Sequence, residues 1–380
     1  MVPVFISLTC FLPFLLTILK LFGSRKLVIA TEQKDCRAPE TPAPVIHHDE
    51  CHPRVLILDV GKIIFDGNDI NRGKFGRVIS VTNVAKSGES RSVVLKIMKE
   101  TKASMFTDEA RALDELLGYD ESPGVYQSGR SRIIKLLGRF QDPKTNELCL
   151  MFEQLCQDLL DYSNDEKVTL SDICIIGRDI LKALAYCHSR GYAHCDVKPE
   201  NIVWTDRDKR GVKLIDFGLA CKISARKTDI VGTNGYISPE VILCLPRNGK
   251  TDVWSLAVSL LSLIIKKEVF NVSLDDRGCH LLMIERLCGQ PIPHRMLIRS
   301  DHIACRHFLN KPRFRPVEIR ERTPGRAASL VKLTLRETLE KYDHIASDVD
   351  NLTLVLSAMM IIDPNIRISA VEALGSDFFQ

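Results

Sequence analysis

The sequence YAHCDVKPENIVW, residues 192–204, decides how the rest of this chain is interpreted. It brings a carboxylate, an ammonium group and an amide together, at Asp196, Lys198 and Asn201, directly before the short apolar run IVW. Two interpretations are open at this point. The segment is either a polar turn that follows a helix, or a loop whose charged and amide groups act together on a charged substrate.

Length and composition are those of an ordinary globular protein with more than one lobe. The chain has 380 residues, of which 45% are hydrophobic and 26% are charged. These values exclude a wholly disordered chain and a protein with many membrane spans, and the length exceeds that of one typical hydrophobic core. The net charge of +4 is small for this length and gives no general case for direct binding of nucleic acid.

The thirteen cysteines are scattered, and no Cys-x-x-Cys pair indicates a zinc ribbon or a redox dithiol. We therefore expect reduced and mostly buried thiols. The best candidate for a metal site is HHDECH, residues 47–52. Its spacing fits no standard tetrahedral site, so a polar linker is the favoured interpretation.

The N-terminal segment, residues 1–30, is hydrophobic. Val2–Leu19 carries no charged side chain, and as a helix it would cover about 27 Å, close to the apolar thickness of a bilayer. A signal anchor, a cleaved signal peptide and an extension from a wrongly assigned start are three open interpretations. Positive charges follow the run, which would keep the remainder of the chain in the cytosol. We expect membrane anchoring through residues 2–22 as one alternative for this chain.

Residues 31–60 are predicted to be a linker, and a part rich in strands follows it. Between the strands, MFTDEARALDELL (105–117) has apolar residues at helical spacing, with Thr107 as the expected cap. Turn-like segments separate the first two and the last two strand candidates, which predicts hairpins. The four candidates are VISVTNV (78–84), SVVLKIM (92–98), IIKLLGRF (133–140) and LCLMFEQL (148–155).

The remainder of the chain is predicted to be mainly helical. SDICIIGRDILKALAYCHSRG (171–191) has helical periodicity, with Ser171 as its N-cap and Gly191 as its stop. DVWSLAVSLLSLIIK (252–266) and DNLTLVLSAMMIID (350–363) are further helical runs. The order, a sheet-rich part and then a larger helical part, predicts an α+β protein.

Several motifs, in a fixed order, resemble those of the eukaryotic protein kinases over about residues 65–380. The resemblance implies a bilobal kinase fold within residues 61–380, with a small antiparallel N-lobe of about 61–155 and a larger helical C-lobe of about 156–380. KLIDFGLA (213–220) matches the second metal-binding motif of that family, which disfavours the polar-turn interpretation. The other motifs are NRGKFGRV (71–78), VVLK (93–96), VGTNGYISPEV (231–241), TDVWSLAV (251–258) and DPNIRISAVEAL (363–374).

The resemblance implies that the loop at 192–204 is catalytic. Asp196 would orient the attacking hydroxyl and accept its proton, and Lys198 would neutralise charge on the transferred phosphoryl group. Asn201 and Asp216 would bind Mg²⁺. Phosphoryl transfer needs positioning and compensating cations more than covalent chemistry, which explains why these groups are crowded into one loop.

The same resemblance implies a site for ATP in the first lobe. Lys96 would hold the α and β phosphates and would pair with Glu109, with Glu115 as the fallback partner. Two glycines of the glycine-rich loop would let its backbone approach the phosphates, and an aromatic residue would cover them. The implied ATP-binding residues besides Lys96 are Asn71, Gly73, Phe75, Gly76, Val78, Glu153 and Leu155.

Other matched positions are implied to support the fold. Glu240 would pair with Arg367, and Asp252 would hold the catalytic loop from beneath. Thr233 would bond to Asp196 and Lys198 and close the loop. The hydrophobic spine of the family would consist of Leu113, Leu136, His194 and Phe217.

Lys198 and Thr233 match the serine/threonine pattern of the family, so Ser or Thr of a protein substrate is the expected acceptor. Cys195 stands where many kinases have an arginine that binds a phosphorylated activation loop. A thiol cannot pair with phosphate in that way, so we expect activity that is constitutive or that depends on an activating regulatory subunit.

Two subfamilies are open. PEVILCLPRNGKTDVWSLAVSLLSLI (239–264) resembles the cell-division-control kinases of the "Cdc seven" type, which implies a role in starting DNA replication and a nuclear location. HLLMIERLCGQPIP (280–293) resembles the LAMMER-type kinases of the CMGC group, but Ile237 stands where that group has an arginine, so the first resemblance is favoured. The alternative to an active kinase is a pseudokinase or scaffold that binds a partner. The expected location is intracellular, either nuclear or membrane-anchored with the kinase facing the cytosol.

Overall fold

The chain forms two compact units. The first holds the described residues up to Ala110 together with Lys135–Gln154, and the second holds Arg111–Ile134 and Leu155–Gln380. The computed structural model describes residues 54–58, 61–65, 69–73, 76–118, 124–225, 228–272, 277–300, 333–342, 345 and 348–380.

Some sequence features lie outside the described residues. These are the apolar run Val2–Leu19, the HHDECH segment and Phe75 of the glycine-rich loop. Within the described ranges, the helices are all too short or too polar to cross a membrane. Of the nine cysteines in the same ranges, five are buried, one is exposed and three are half-buried.

The first unit is built on an antiparallel sheet of seven strands. The strands are β1 (Arg54–Leu58), β2 (Gly61–Phe65), β3 (Asp69–Gly73), β4 (Gly76–Ala85), β5 (Ser90–Met98), β6 (Leu136–Gln141) and β7 (Leu148–Glu153). Their order in the sheet is β1-β2-β4-β5-β7-β6, and β3 pairs with β4. Both predicted hairpins are confirmed, because β4 pairs with β5 and β6 pairs with β7.

The alternation of side chains along β5 fixes the core of this unit. Val93, Leu95 and Ile97 are buried in one hydrophobic cluster, and the intervening Lys96 is only half-buried. Each fully buried aliphatic side chain contributes about 1.5–3 kcal/mol to folding. The register of the central strand therefore places Lys96 on the face away from this cluster.

Strand β1 corrects the predicted linker at 31–60. It lies at residues 54–58 and pairs with β2, from Arg54 opposite Phe65 to Leu58 opposite Gly61. Leu56 is buried in the same cluster as the central strand. The apolar run VLIL can bury one face against the sheet, which outweighs the polar composition of the residues before it.

The predicted first helix is confirmed as α1 (Ala103–Leu117), but its start is earlier than expected. Thr107 is inside the helix, and its hydroxyl donates to the carbonyl of Ala103 at 2.8 Å. The prediction of Thr107 as a cap was therefore wrong. Threonine can satisfy its hydroxyl within a helix by bonding to the carbonyl four residues earlier, so its identity alone does not mark a helix start.

The second unit is mainly helical, as predicted. Two small antiparallel sheets accompany its helices. The hairpin of β9 (Ile202–Trp204) and β10 (Val212–Leu214) forms one, and β8 (Tyr192–Ala193) pairs with the more distant β11 (Cys221–Lys222) to form the other. The helices are α2 (Gly124–Arg130), α3 (Leu159–Asp165), α4 (Leu170–Ser189), α5 (Pro239–Ile242), α6 (Lys250–Ile265), α7 (Arg277–Cys288), α8 (His294–Ile298), α9 (Leu335–Leu339), α10 (Val349–Met359) and α11 (Ala370–Leu374).

Helix α4 ends as predicted and begins differently. Gly191 follows its C-terminus with a φ of 76°, a backbone conformation that glycine adopts without strain. The N-cap is Thr169 and not Ser171, because Thr169 and Asp172 form a capping box with hydrogen bonds of 2.9 and 3.1 Å. The reciprocal pair satisfies two backbone N–H groups, whereas a serine two residues later could satisfy only one.

The predicted pairing of Glu240 with Arg367 is confirmed. The two side chains form parallel hydrogen bonds of 2.8 Å each, and both are fully buried. Burial raises the pKa of Glu240, but the charge and the hydrogen bonds of Arg367 outweigh burial and hold the pKa below its ordinary value. A bidentate geometry is what makes an ion pair tolerable in an apolar interior.

Candidate active site

The glycine-rich segment forms the hairpin between β3 and β4. Asn71 pairs with Val78 and Gly73 pairs with Gly76, so the first unit places these four predicted residues side by side. Gly76 has a φ of 151°, and a Cβ atom there would lie 2.1 Å from the carbonyl oxygen of Ile97. This glycine is therefore required by the close approach of β5 to the hairpin.

Lys96 has the partner that was predicted. Its Nζ atom lies 2.7 Å from Oε2 of Glu109, and the exposed fractions of the two side chains are 15% and 2%. Glu115, the fallback, pairs with Lys222 within the second unit. Val78 lies opposite Lys96 in the ladder between β4 and β5, so the hairpin and the lysine are held in one register.

The last two predicted ATP-binding residues lie at the end of β7. Glu153 uses its Oε1 atom to accept the backbone N–H of Lys135 at 2.8 Å, so its carboxylate supports the chain just before β6. Leu155 follows the strand, is half-buried and belongs to the second unit. A structural role is thus visible for Glu153, and its predicted role in ATP binding stays a prediction.

In the second unit, Asp196 is the centre of a hydrogen-bond network. Its Oδ1 atom accepts from the N–H of Thr233 at 2.8 Å and from the hydroxyl of Thr233 at 2.7 Å. Lys198 donates to the same hydroxyl at 2.7 Å and lies 3.5 Å from Oδ2 of Asp196. The hydroxyl of Thr233 therefore donates to the carboxylate and accepts from the ammonium group, as predicted.

Asn201 and Asp216 lie at the same end of a hairpin. Asn201 immediately precedes β9, and Asp216 comes two residues after β10, its antiparallel partner. The N–H of Ile215 donates to the carbonyl of Asn201 at 2.9 Å, which joins the two segments just before Asp216. The topology thus brings together two residues that are fifteen positions apart in the sequence.

The donor set of these residues fits a hard divalent metal ion. Both hydrogen bonds of the Asn201 side chain among the described residues use its amide nitrogen, which donates to Asp196 at 2.8 and 3.1 Å. The amide oxygen, the atom that a metal would bind, is left for a ligand. Asp216 adds a carboxylate and has a left-handed backbone, with a φ of 60°. Oxygen ligands of this kind suit Mg²⁺.

The ring of His194 supports the catalytic loop from within. Its Nδ1 atom accepts the N–H of Asp196 at 3.2 Å, so its proton is on Nε2, which lies 3.0 Å from the carbonyl oxygen of Ile215. The ring of Phe217 meets it edge-on with a 4.7 Å centroid distance. Of the predicted spine, His194 and Phe217 are buried and in contact. Leu113 is also buried, and Leu136 is half-buried.

Asp252 binds the same loop, which confirms the prediction. It accepts the backbone N–H groups of His194 and Cys195 at 2.9 and 2.8 Å and lies 2.8 Å from Nε2 of His188. Burial raises the pKa of Asp252, but these bonds outweigh burial and hold the pKa below its ordinary value. Cys195 has a φ of 68°, a strained conformation for a residue other than glycine, which the buried carboxylate stabilises.

The hydroxyl of Thr233 allows a matched pair of variants. We expect Thr233→Val to lower kcat by about 10- to 100-fold, because hydrogen bonds to charged groups contribute about 1.5–3 kcal/mol. Thr233→Ser keeps the hydroxyl and should stay within about threefold of the wild type. Steady-state rates measure the effect, with thermal midpoints as the control for folding. Equal rates for the two variants would mean that the hydroxyl does not position Asp196 and Lys198.

A second set of residues, around Cys195, was not predicted from the sequence. Cys221 lies with its sulfur 3.5 Å from that of Cys195, and the buried guanidinium of Arg247 is close enough to both to affect their pKa values. The three residues are far apart in the sequence and match no motif. The one available signal was the cysteine at position 195, where an arginine is usual.

Comparison with known proteins agrees with this geometry. A family model described as the protein kinase domain matches residues 66–379. The chain is 28% identical to the serine/threonine-protein kinase AFC3 of Arabidopsis thaliana, covering 87% of this chain and 83% of that protein. It is 28% identical to the dual specificity protein kinase lkh1 of Schizosaccharomyces pombe (82% and 46% covered) and 27% identical to the dual specificity protein kinase CLK1 of Homo sapiens (82% and 64%).

The fold is also found among solved structures. The crystal structure of the PF14_0431 kinase domain matches with a TM-score of 0.70 at 24% identity, covering 88% of this chain and 99% of that one. The predicted α+β kinase fold is thereby confirmed. A match over most of the chain, together with the motifs in their expected elements, shows that the chain belongs to the protein kinase domain family.

Proposed function

We propose that this kinase transfers the γ-phosphoryl group of ATP to serine or threonine hydroxyls of protein substrates, with Mg²⁺ as its metal ion. The family uses ATP and a divalent metal, and the observation that carries the proposal is the network around Asp196. A carboxylate that is held by Thr233, with a lysine beside it and an amide oxygen left for a metal, is arranged to act on a hydroxyl and a phosphate.

The roles of the individual residues follow from this arrangement. Asp196 accepts the proton of the attacking hydroxyl, and Lys198 neutralises charge on the transferred group. Asn201 and Asp216 hold Mg²⁺, which compensates the charge of the phosphates when it is bound. Lys96, kept in place by Glu109, binds the phosphates in the first unit. A pseudokinase would normally lack at least one of these groups, so an active enzyme is the better proposal.

We place the enzyme with the LAMMER-type kinases of the CMGC group. Its relatives include lkh1 and CLK1, which favours this group over the cell-division-control kinases, and a role in starting DNA replication remains a proposal from the sequence. The segment 280–293 that suggested this group begins on α7 with His280, which is buried against the ring of Phe270 at 5.1 Å. Burial lowers the pKa of His280 to about 3, so this histidine is a neutral part of the core.

We also propose how this kinase is regulated and where it is located in the cell. The replacement of the usual arginine by Cys195 favours constitutive activity or activation by a regulatory subunit over activation by loop phosphorylation. The apolar residues 2–22 favour a membrane-anchored kinase that faces the cytosol, and a nuclear protein is the alternative. Neither proposal depends on the identity of the substrate.

Radiolabelled phosphate transfer tests the proposed reaction. The purified full-length chain, with ATP and Mg²⁺, should label peptides whose single acceptor is Ser or Thr, and it should leave the matched Tyr peptide unlabelled. Asp196→Ala is the control. Equal labelling by the wild type and by Asp196→Ala would overturn the proposed enzymatic activity. Labelling of the Tyr peptide alone would overturn the proposal that the acceptor is Ser or Thr. Phosphate transfer by the purified kinase without an added partner protein would also exclude an obligatory regulatory subunit.

A further inference from the structure

Two cysteines meet directly beside the catalytic residue Asp196. The sulfur atoms of Cys195 and Cys221 are 3.5 Å apart, and both residues are free thiols. Cys221 lies opposite Ala193 in the pairing of β11 with β8, and Cys195 follows Ala193 by two residues. The pairing of β8 with β11 therefore holds the segment after Asp216 against the catalytic loop and brings the two sulfurs close to bonding distance.

The surroundings make the two thiols chemically unequal. The hydrogen bond from Cys195 and the nearby Arg247 guanidinium lower the pKa of Cys221, while the same sulfur pair and burial raise the pKa of Cys195. Arg247 is 4% exposed and is anchored on Asp229, whose carbonyl and carboxylate oxygens accept from it at 2.6 and 3.2 Å. A thiolate beside a fixed cation, with a neutral thiol in contact, is the arrangement of a reactive and a resolving cysteine.

Other thiols of the second unit lack this environment. Burial raises the pKa of Cys187, and it also raises the pKa of Cys288, to about 12. Cys156 is exposed, and its sulfur has no thiol partner among the described residues. Burial therefore disfavours the thiolate at Cys187 and Cys288, whereas the pKa of Cys221 is lowered.

We infer that Cys195 and Cys221 form a modification site for hydroperoxides, at which oxidation to a disulfide inhibits the kinase. Formation of the disulfide is independent of the proposed function, whereas the inhibition rests on it. The Cys221 thiolate attacks the terminal peroxide oxygen and the O–O bond breaks. The departing hydroxide, or alkoxide from an organic hydroperoxide, takes up a proton from solvent and leaves as water or an alcohol. The Cys195 sulfur then attacks the sulfenic acid at Cys221. The S–S bond forms, the S–O bond breaks, and the hydroxyl leaves as water with the proton of Cys195. Two thiols lose two electrons to one peroxide.

Inhibition follows from the position of Cys195. The two sulfurs must approach from 3.5 Å to a bond length of about 2.0 Å. Cys195 precedes Asp196, has a strained backbone and is tied to Asp252 by its N–H group, so its displacement moves the catalytic carboxylate. A misplacement of about 1 Å at a catalytic group lowers the rate by up to about 100-fold, so we expect a reversible loss of about 10- to 100-fold.

The test uses the full-length protein and hydrogen peroxide. After brief treatment, free thiols are alkylated, and the digest is analysed by mass spectrometry for the peptide pair that joins Cys195 to Cys221. Activity is measured on the same samples before and after dithiothreitol. We expect the linked peptides, the loss of activity, and its recovery on reduction, in the wild type and in Cys156→Ser alike. Cys221→Ser should keep its activity after peroxide.

Two results would overturn the inference. In one, both cysteines are recovered alkylated at peroxide doses that oxidise Cys156. In the other, Cys221→Ser loses activity to the same extent as the wild type. Linked peptides without any change in activity would support the site and overturn its inhibitory role. The mass measurement on the wild type needs neither a folded variant nor kinase activity, so a failure of the proposed function would leave it intact.

Discussion

Asp196→Asn should lower kcat by about 10²–10⁴-fold, the range that general base catalysis contributes. The substituted side chain has the same shape, and its oxygen can still accept from Thr233. It can no longer take up a proton, and its NH₂ group would face the donors of Lys198 and Asn201. The loss therefore combines the missing base with a weakened loop network.

Initial rates at saturating ATP and peptide measure this effect, and the KM for ATP should change by less than about threefold, because Asp196 acts on the acceptor and not on the nucleotide. Asp208→Asn is the matched control. Asp208 is a nearby exposed aspartate that pairs with Arg210 at 3.0 Å, so its loss should leave kcat unchanged. A kcat for Asp196→Asn close to that of the control would mean that this carboxylate is not the catalytic base.

Glu240→Gln should destabilise the second unit by about 3–5 kcal/mol, which is the cost of leaving a buried charge without its partner. Arg367 is held by two bonds to Glu240, by the carbonyl of Lys250 at 2.9 Å, and against the ring of Trp254 at 5.1 Å. The neutral glutamine would keep the shape but leave the guanidinium charge uncompensated. The thermal midpoint should fall by about 6–20 °C for a unit of this size.

Calorimetry or circular dichroism at neutral pH measures the thermal midpoint. Glu340→Gln is the matched control, because Glu340 forms an exposed pair with Arg336 at 2.8 Å on the surface of the same unit. An exposed ion pair contributes at most about 1 kcal/mol, so the control should shift the midpoint by only a few degrees. Equal shifts in the two variants would show that the Glu240–Arg367 pair contributes no more than a surface pair.

Much of the fold and the pairings around the site could be predicted because each is encoded locally. The hairpin of β4 and β5 follows from two β-branched runs and a turn, and its register decides where Lys96 lies. Glu109 is on the helix that follows, and it proved to be the partner of Lys96. Asp196, Lys198 and Asn201 are so close in sequence that any compact loop brings them together.

The features that could not be predicted from the sequence depend on contacts between distant parts of the chain or on competition between similar residues. Cys221 and Arg247 join Cys195 only through tertiary structure, so no spacing in the sequence predicts them. The start of α4 was missed because Thr169 and Ser171 are both good caps, and only the reciprocal bond with Asp172 decides between them. Strand β1 was missed because its neighbours are polar.

Asp252 couples the opening of the catalytic loop to the core of the second unit. The carboxylate belongs to the core helix α6 and is fully buried, yet two of the partners described above are backbone N–H groups of the catalytic loop, and the third is His188 on α4. When the loop opens, this buried anion loses both backbone bonds and keeps only its contact with His188, which costs several kcal/mol. Loop and helix thus behave as one cooperative unit, and we expect Asp196 to be about as rigid as the interior of the second unit.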